Sequence, residues 1–279
     1  MSSGRGGATS GPAAGNGPTR SQLISSSEAG RLRCVINRPG SLNALTPELL
    51  FDLARIVRAA GADEEVRTVT IEGSGSAAFS AGFDIKVLAE QGAKAHRGDP
   101  LGTVSEAILS CPKTTIAVIR GHCVGAGLDL AMSCDFRVAA EGSRFSIPAV
   151  RLGTFYRPRA VERFFEVLGP SVAKALFVAA REYTGVEALR AGIIDDLVAP
   201  EHLEERVAEW STVPEQGVAA AEAHKRLIDA LAATPDRGPD FWAPFDELRE
   251  HFLASGQRAE AVESFVRRRR GIGRGGAER

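Results

Sequence analysis

Three short strand-forming runs separated by helical sequence constrain this chain most. They are Val66–Ile71 and Thr114–Ile119, both β-branched, and the apolar run Phe136–Ala139. Strand-forming stretches that alternate with helix-length segments select an α/β architecture, because a parallel pair needs a crossover long enough to return the chain to the same edge. The run-up agrees. Residues 22–37 alternate as a hairpin about Glu28-Ala29-Gly30, with Leu32, Cys34 and Ile36 on one face. Thr46 is placed to cap a helix with Pro47 at its first position, and Leu49, Leu50, Leu53, Ile56 and Val57 form one apolar stripe.

After Pro158 helical periods dominate. Exceptions are a strand expected over Ile193–Val198 and a capping box at Thr184 and Glu187. From Glu201 onward amphipathic helices fit 201–211, 215–232, 240–255 and 258–269. The expected organisation is a disordered leader over 1–20, an α/β core over 21–200, a helical subdomain over 201–270 and a flexible tail over 271–279. The leader consists mostly of Gly, Ser, Ala and Pro, too little apolar surface to offset the entropy of ordering. It contains no apolar segment of the secretory type. No internal repeat is visible.

Composition narrows the function. A net charge of -1 at pH 7 favours neither nucleic acid nor an anionic membrane surface. Cys34, Cys111, Cys123 and Cys134 show no C-x-x-C spacing and lie mainly in apolar stretches, so they read as buried free thiols. Five scattered His build no metal box, and no run is long enough to span a bilayer. A cytoplasmic location is expected.

Two segments carry the chemistry. Phe79-Ser80-Ala81-Gly82-Phe83-Asp84-Ile85-Lys86 and Gly121-His122-Cys123-Val124-Gly125-Ala126-Gly127-Leu128-Asp129 each leave a strand and open a helix. Small residues there admit a ligand close to the backbone, and a helix start leaves N–H groups unpaired. Two such turns on neighbouring strands can aim one amide each at an oxygen that gains negative charge during reaction. The second segment lacks the Lys-Ser/Thr of a nucleotide phosphate loop.

The order of motifs resembles the crotonase (enoyl-CoA hydratase/isomerase) superfamily over residues 22–270. The motifs are Asn37-Arg38-Pro39 with Leu42-Asn43-Ala44-Leu45-Thr46-Pro47-Glu48, then Val66–Gly73, Phe79–Lys86, Gly121–Asp129, Cys134–Ala140, Phe145, Leu152-Gly153 and Leu168-Gly169. The resemblance implies a spiral of ββα units followed by a C-terminal helical region, and a homo-trimer or hexamer. The implied substrate is an acyl-coenzyme A thioester, with no cofactor beyond the coenzyme A that belongs to it. It also implies that the N–H groups of Phe83 and Ala126 receive the thioester oxygen. Ala81, Asp84, Ile85 and Lys86, with Asn43, Ala44, Leu45 and Gly125, fall on the coenzyme A path.

The two glutamates of family hydratases would stand at positions 129 and 149, where this chain has Asp129 and Ala149. Asp is one methylene short and Ala transfers no proton, so two-carboxylate hydration is not supported. The stretch Phe145–Tyr156, with Asp99-Pro100-Leu101 and Phe265-x-x-x-Arg269, is similar to the methylmalonyl-CoA decarboxylase branch, in which a tyrosine stands at the place of Tyr156. That branch has a His where this chain has Phe83. Asp129 and Tyr156 are thus the candidates for proton transfer or substrate orientation, each with a purely structural alternative. His122 reads as structural or solvent-facing and Asp135 as structural. The basic run Arg267–Arg270 reads as a solvated helix end or as a contact to the coenzyme A phosphates. Three functions follow: enoyl-CoA hydratase/isomerase-class enolate chemistry first, decarboxylation of a methylmalonyl-type thioester second, and a silent acyl-CoA-binding scaffold third.

Overall fold

The computed structural model describes residues 21–212, together with 221–225, 228, 229, 250, 254, 263 and 267, all of the latter helical. The expected leader and tail lie outside the described residues, as do most of the last three helices. Strands β1 (Leu23–Glu28) and β2 (Arg31–Ile36) form the expected antiparallel hairpin, turning on Ala29 and Gly30 at φ 49° and 81°. From there pairing is parallel. Strand β2 meets β3 (Thr68–Gly73), β3 meets β5 (Thr114–Ile119), β5 meets β7 (Phe136–Ala140), and β7 meets β10 (Asp196–Val198). A smaller sheet takes β4 (Ala78–Ser80), β6 (His122–Val124), β8 (Arg144–Ser146) and β9 (Tyr183–Thr184) in that order.

The two sheets are laid down together. Each of β3, β5 and β7 is followed by a strand of the small sheet and then by a helix. Helices α2 (Ile85–Gln91) and α3 (Pro100–Leu109) follow β4, α4 (Ala126–Ala131) follows β6, and α5 (Pro158–Phe177) follows β8. This is the ββα spiral expected from the resemblance. Every residue of β3 is buried, as befits a parallel strand covered on both faces.

Helix α1 (Pro47–Gly61) starts where the capping logic placed it, Thr46 Oγ1 accepting from the Leu49 N–H at 3.3 Å. Its stripe Leu49, Leu50, Leu53 and Val57 packs into one core with Val104, Ile108, Ile71 and Ile119. Helix α7 (Leu203–Ser211) covers the opposite sheet face, where Leu203 and Val207 bury Ile116, Val118, Val138 and Ala140. Helix α6 (Gly185–Arg190) opens on a complete Thr184–Glu187 capping box.

Two strand boundaries differ from expectation. Val66 belongs to a turn, its N–H donating to Asp63 O at 3.2 Å, so β3 begins at Thr68. Ile193 and Ile194 are fully buried but non-extended; the Ile193 N–H closes α6 on Ala188 O at 2.9 Å, leaving only Asp196–Val198 as strand. Both strands are expected from β-branched, apolar runs, and a buried turn accommodates such residues as well as a strand does. All four cysteines are buried free thiols. Asp135 is structural: it accepts from the Thr115 N–H at 2.7 Å and from Lys225 at 2.6 Å, anchoring the helical segment at 221–225. Among the described residues no helix is long and apolar enough to cross a membrane.

Candidate active site

Parallel pairing of β4 and β6 sets their C-terminal turns side by side. The first turn runs through Ala81–Asp84 with Gly82 at φ 94°. It is tied on both sides: the Ala81 N–H donates to Leu42 O at 2.9 Å, and the Leu45 N–H donates to Gly82 O at 2.8 Å. The second turn pivots on Gly125 (φ 55°), whose N–H donates to Ser146 O at 2.8 Å, and releases α4 at Ala126. Contact between the turns explains the glycines. A Cβ on Gly82 would stand 2.9 Å from Val124 O and 3.4 Å from the Ala126 nitrogen. One on Gly127 would stand 2.7 Å from Ser80 Cβ, closer than side chains approach.

Phe83 and Ala126 therefore sit on adjoining turns and line one cleft, with Ala81, Gly82, Ile85, Val124 and Gly125. Ala126 is the first residue of α4, where an N–H has no intrahelical acceptor. The facing wall is Pro148, Ala149 and Leu152 from a 3-10 turn, then Thr154, Phe155, Tyr156 and Arg157. Leu88, His96 and Leu101 close the side.

The expected coenzyme A residues divide. Ala81, Ile85 and Gly125 reach the cleft wall. Asn43, Ala44, Leu45, Asp84 and Lys86 do not; the first four are buried frame residues, and Lys86 is exposed. Asn43 donates to Ser74 O at 3.0 Å and Ala78 O at 2.7 Å, locking the 42–45 loop under the first turn. Asp84 caps α2 by accepting from the Lys86 N–H at 3.0 Å and pairs with Arg38 at 2.8 Å. His122 is exposed, away from the wall.

Asp129 is also behind the wall rather than on it. Helix α4 points it inward, where it has no exposed surface and is ion-paired with Arg163 of α5. Arg157 approaches its other oxygen at 3.6 Å, and the Tyr156 hydroxyl donates to that oxygen at 3.3 Å. Arg157 in turn grips Asp99, the N-cap of α3, at 3.0 Å. Burial first, and the Asp129 charge second, push the Tyr156 hydroxyl well above its ordinary range, outweighing Arg157 and Arg163. Burial alone would lower the Arg157 pKa, but Asp129 and Asp99 more than offset it and hold the guanidinium above its ordinary value. Tyr156 is therefore a fixed, protonated hydrogen-bonding group and Arg157 a permanent cation.

Among the described residues no Asp or Glu lines the cleft, and the ionisable groups on its wall are His96, Tyr156 and Arg157. Sequence reasoning missed His96 and Arg157. Arg157 was within reach as the neighbour of Tyr156 ahead of Pro158. His96 had no local signal: a 3-10 turn over Gly92–His96 carries it onto the Phe83 ring, centroids 5.2 Å apart.

Two mostly parallel sheets, with a cleft lined by the paired helix-opening turns after β4 and β6, define an α/β small-molecule site. The sequence profile of the enoyl-CoA hydratase/isomerase family matches residues 27–271, and the chain belongs to that family. It is 31% identical over 240 residues to a probable enoyl-CoA hydratase of Rhizobium meliloti, covering 84% of this chain and 91% of the relative. It is 36% identical over 170 residues to the crotonyl-CoA hydratase of Syntrophomonas wolfei. That match spans 60% of this chain and 65% of the relative's length. The crystal structure of an enoyl-CoA hydratase from Mycobacterium avium subsp. paratuberculosis superposes with a TM-score of 0.76 at 25% identity, covering 88% of this chain and 99% of that one.

Proposed function

We propose that this protein is an acyl-coenzyme A enzyme that works through a thioester enolate, without a carboxylate pair to activate water. The carrying observation is that two backbone turns stand side by side on a cleft wall to which the described residues contribute no carboxylate. The thioester oxygen is received by the N–H groups of Phe83 and Ala126; in such sites one donor typically contributes roughly 2.7–4 kcal/mol to the barrier. Tyr156, protonated and held by Asp129, orients the acyl group rather than exchanging a proton with it. Asp129 is a positioning residue. Shifting a double bond between the 3- and 2-positions of an enoyl thioester needs only proton removal and return, and fits this wall. Coenzyme A enters as part of the substrate, and a homo-trimer or hexamer is the proposed assembly.

A second reading has its own observation. Arg157 places a permanent cation on a wall to which the described residues contribute no carboxylate, which suits a malonyl-type thioester that loses carbon dioxide to form the same enolate. Three substrates separate the readings: 3-butenoyl-CoA, crotonyl-CoA and methylmalonyl-CoA, followed by NMR and by carbon dioxide release. The expected result is tight binding of CoA thioesters over the free acids and a double-bond shift that exceeds hydration. Binding that does not distinguish thioester from free acid overturns the proposal, as does hydration of crotonyl-CoA as the dominant activity. Carbon dioxide release from methylmalonyl-CoA as the main activity selects the second reading.

A further inference from the structure

We propose His96 as the catalytic acid–base, a role resting on the enolate reading above. A group that moves the proton at the thioester's α-carbon must face the cleft, and among the described residues three ionisable side chains do. Tyr156 has committed its proton to Asp129 at 3.3 Å, and burial and the Asp129 charge resist its ionisation. Arg157 is fixed as a cation by Asp129 at 3.6 Å and Asp99 at 3.0 Å. Imidazole is the remaining class of group, and it changes charge near neutral pH in ordinary surroundings.

Position supports the assignment. The His96 ring lies against the Phe83 ring, centroids 5.2 Å apart and planes inclined by 37°. Phe83 itself carries one of the two proposed oxyanion N–H donors, so the imidazole flanks the residue at which enolate charge collects. Its backbone is held as well: the Asp99 N–H donates to His96 O at 3.0 Å, and the Asp99 carboxylate is spent on Arg157 and the α3 N-terminus. Lys94 and Arg97 are the charged residues on its own segment, and Arg157 is the cation on the cleft wall that it shares.

The step balances without an added reagent. An imidazole nitrogen takes a proton from the α-carbon of a 3-enoyl thioester, and the C–H electron pair moves through the new C=C bond onto the thioester oxygen. The imidazolium returns a proton to the γ-carbon, the electrons move back, and the 2-enoyl thioester forms.

The test uses the full chain with 3-butenoyl-CoA in deuterated buffer, following deuterium uptake and double-bond migration by NMR for wild type and His96→Gln. General acid–base groups usually contribute about 10²–10⁴-fold, so the variant is expected to lose at least about 100-fold in turnover. Its dissociation constant for 3-butenoyl-CoA should stay within about threefold, so that the loss falls on turnover and deuterium uptake alone. If His96→Gln does not fold by circular dichroism, His96→Asn takes its place. Turnover within about threefold of wild type in the folded variant overturns the assignment. So does a wild type that binds the thioester yet exchanges nothing. Failure of wild type to bind the thioester at all strikes the enolate reading instead.

Discussion

Substituting Asp129→Asn tests whether this carboxylate is structural support or chemistry. The carboxylate has no exposed surface, and its guanidinium partners Arg163 and Arg157 keep only 13% and 12% of their side-chain surface. Little of either guanidinium side chain reaches water when the negative charge disappears. Arg157 retains Asp99, so the uncompensated charge is chiefly that of Arg163. Removing one partner of a buried pair costs about 3–5 kcal/mol, because the other charge is left buried without its counter-ion. At about 2–4 °C per kcal/mol for chains of this size, the melting temperature should drop by roughly 6–20 °C. Equilibrium urea denaturation, followed by circular dichroism, measures the loss directly. Asp52→Asn serves as control, since its pair with Arg55 is 60% and 73% exposed and is expected to be worth under about 1 kcal/mol. Replacing both partners with apolar residues (Asp129→Leu with Arg163→Met) should recover most of the stability, because it removes the charge left stranded. A loss below about 1 kcal/mol for Asp129→Asn would refute the claim that this pair is buried and coupled.

Further outcomes follow from the same geometry. Gly127→Ala forces a Cβ to within 2.7 Å of Ser80 Cβ, so it should separate the two turns. It should cost about 1–3 kcal/mol in urea denaturation and weaken CoA-thioester binding; unchanged binding would count against the paired-turn site. Burial, with Glu72 for Cys34 and Asp135 for Cys134 adding to it, raises both thiols from 9.0 to about 12. Between those values the folded state keeps protons that the unfolded chain releases, so stability present below pH 9 is lost as pH rises toward 12. Urea midpoints at pH 8 and 10 should show this fall, and Cys34→Ala with Cys134→Ala should make it shallower. An identical slope in the double variant would exclude the thiols as its source.

Local chemistry made much of the frame readable. Thr46 before Pro47, and Thr184 three residues ahead of Glu187, announce helix starts because a cap is an interaction between near neighbours in sequence. The two glycine turns were equally legible, since a positive φ at Gly82 and Gly125 is a backbone demand written in one residue each. β-Branched and apolar runs are less discriminating, because core-facing turns at Val66 and Ile193 carry the same residue types as the strands they adjoin. The ββα repeat left no repeat in the sequence, because each unit packs a different set of side chains into the same backbone path.

The chain's sequence by itself determined an α/β fold, the turn residues, and the lack of a second glutamate at Ala149. What Asp129 does was decided only in three dimensions: Arg157 and Arg163 arrive from about thirty residues away and turn a candidate acid into an anchor for Tyr156. His96 reached the cleft in the same way, through the placement of one short turn over Phe83. Backbone propensities act over a few residues and can be read in order. The charge environment of a buried group is a sum over neighbours brought together by packing, and it exists only once the core has closed.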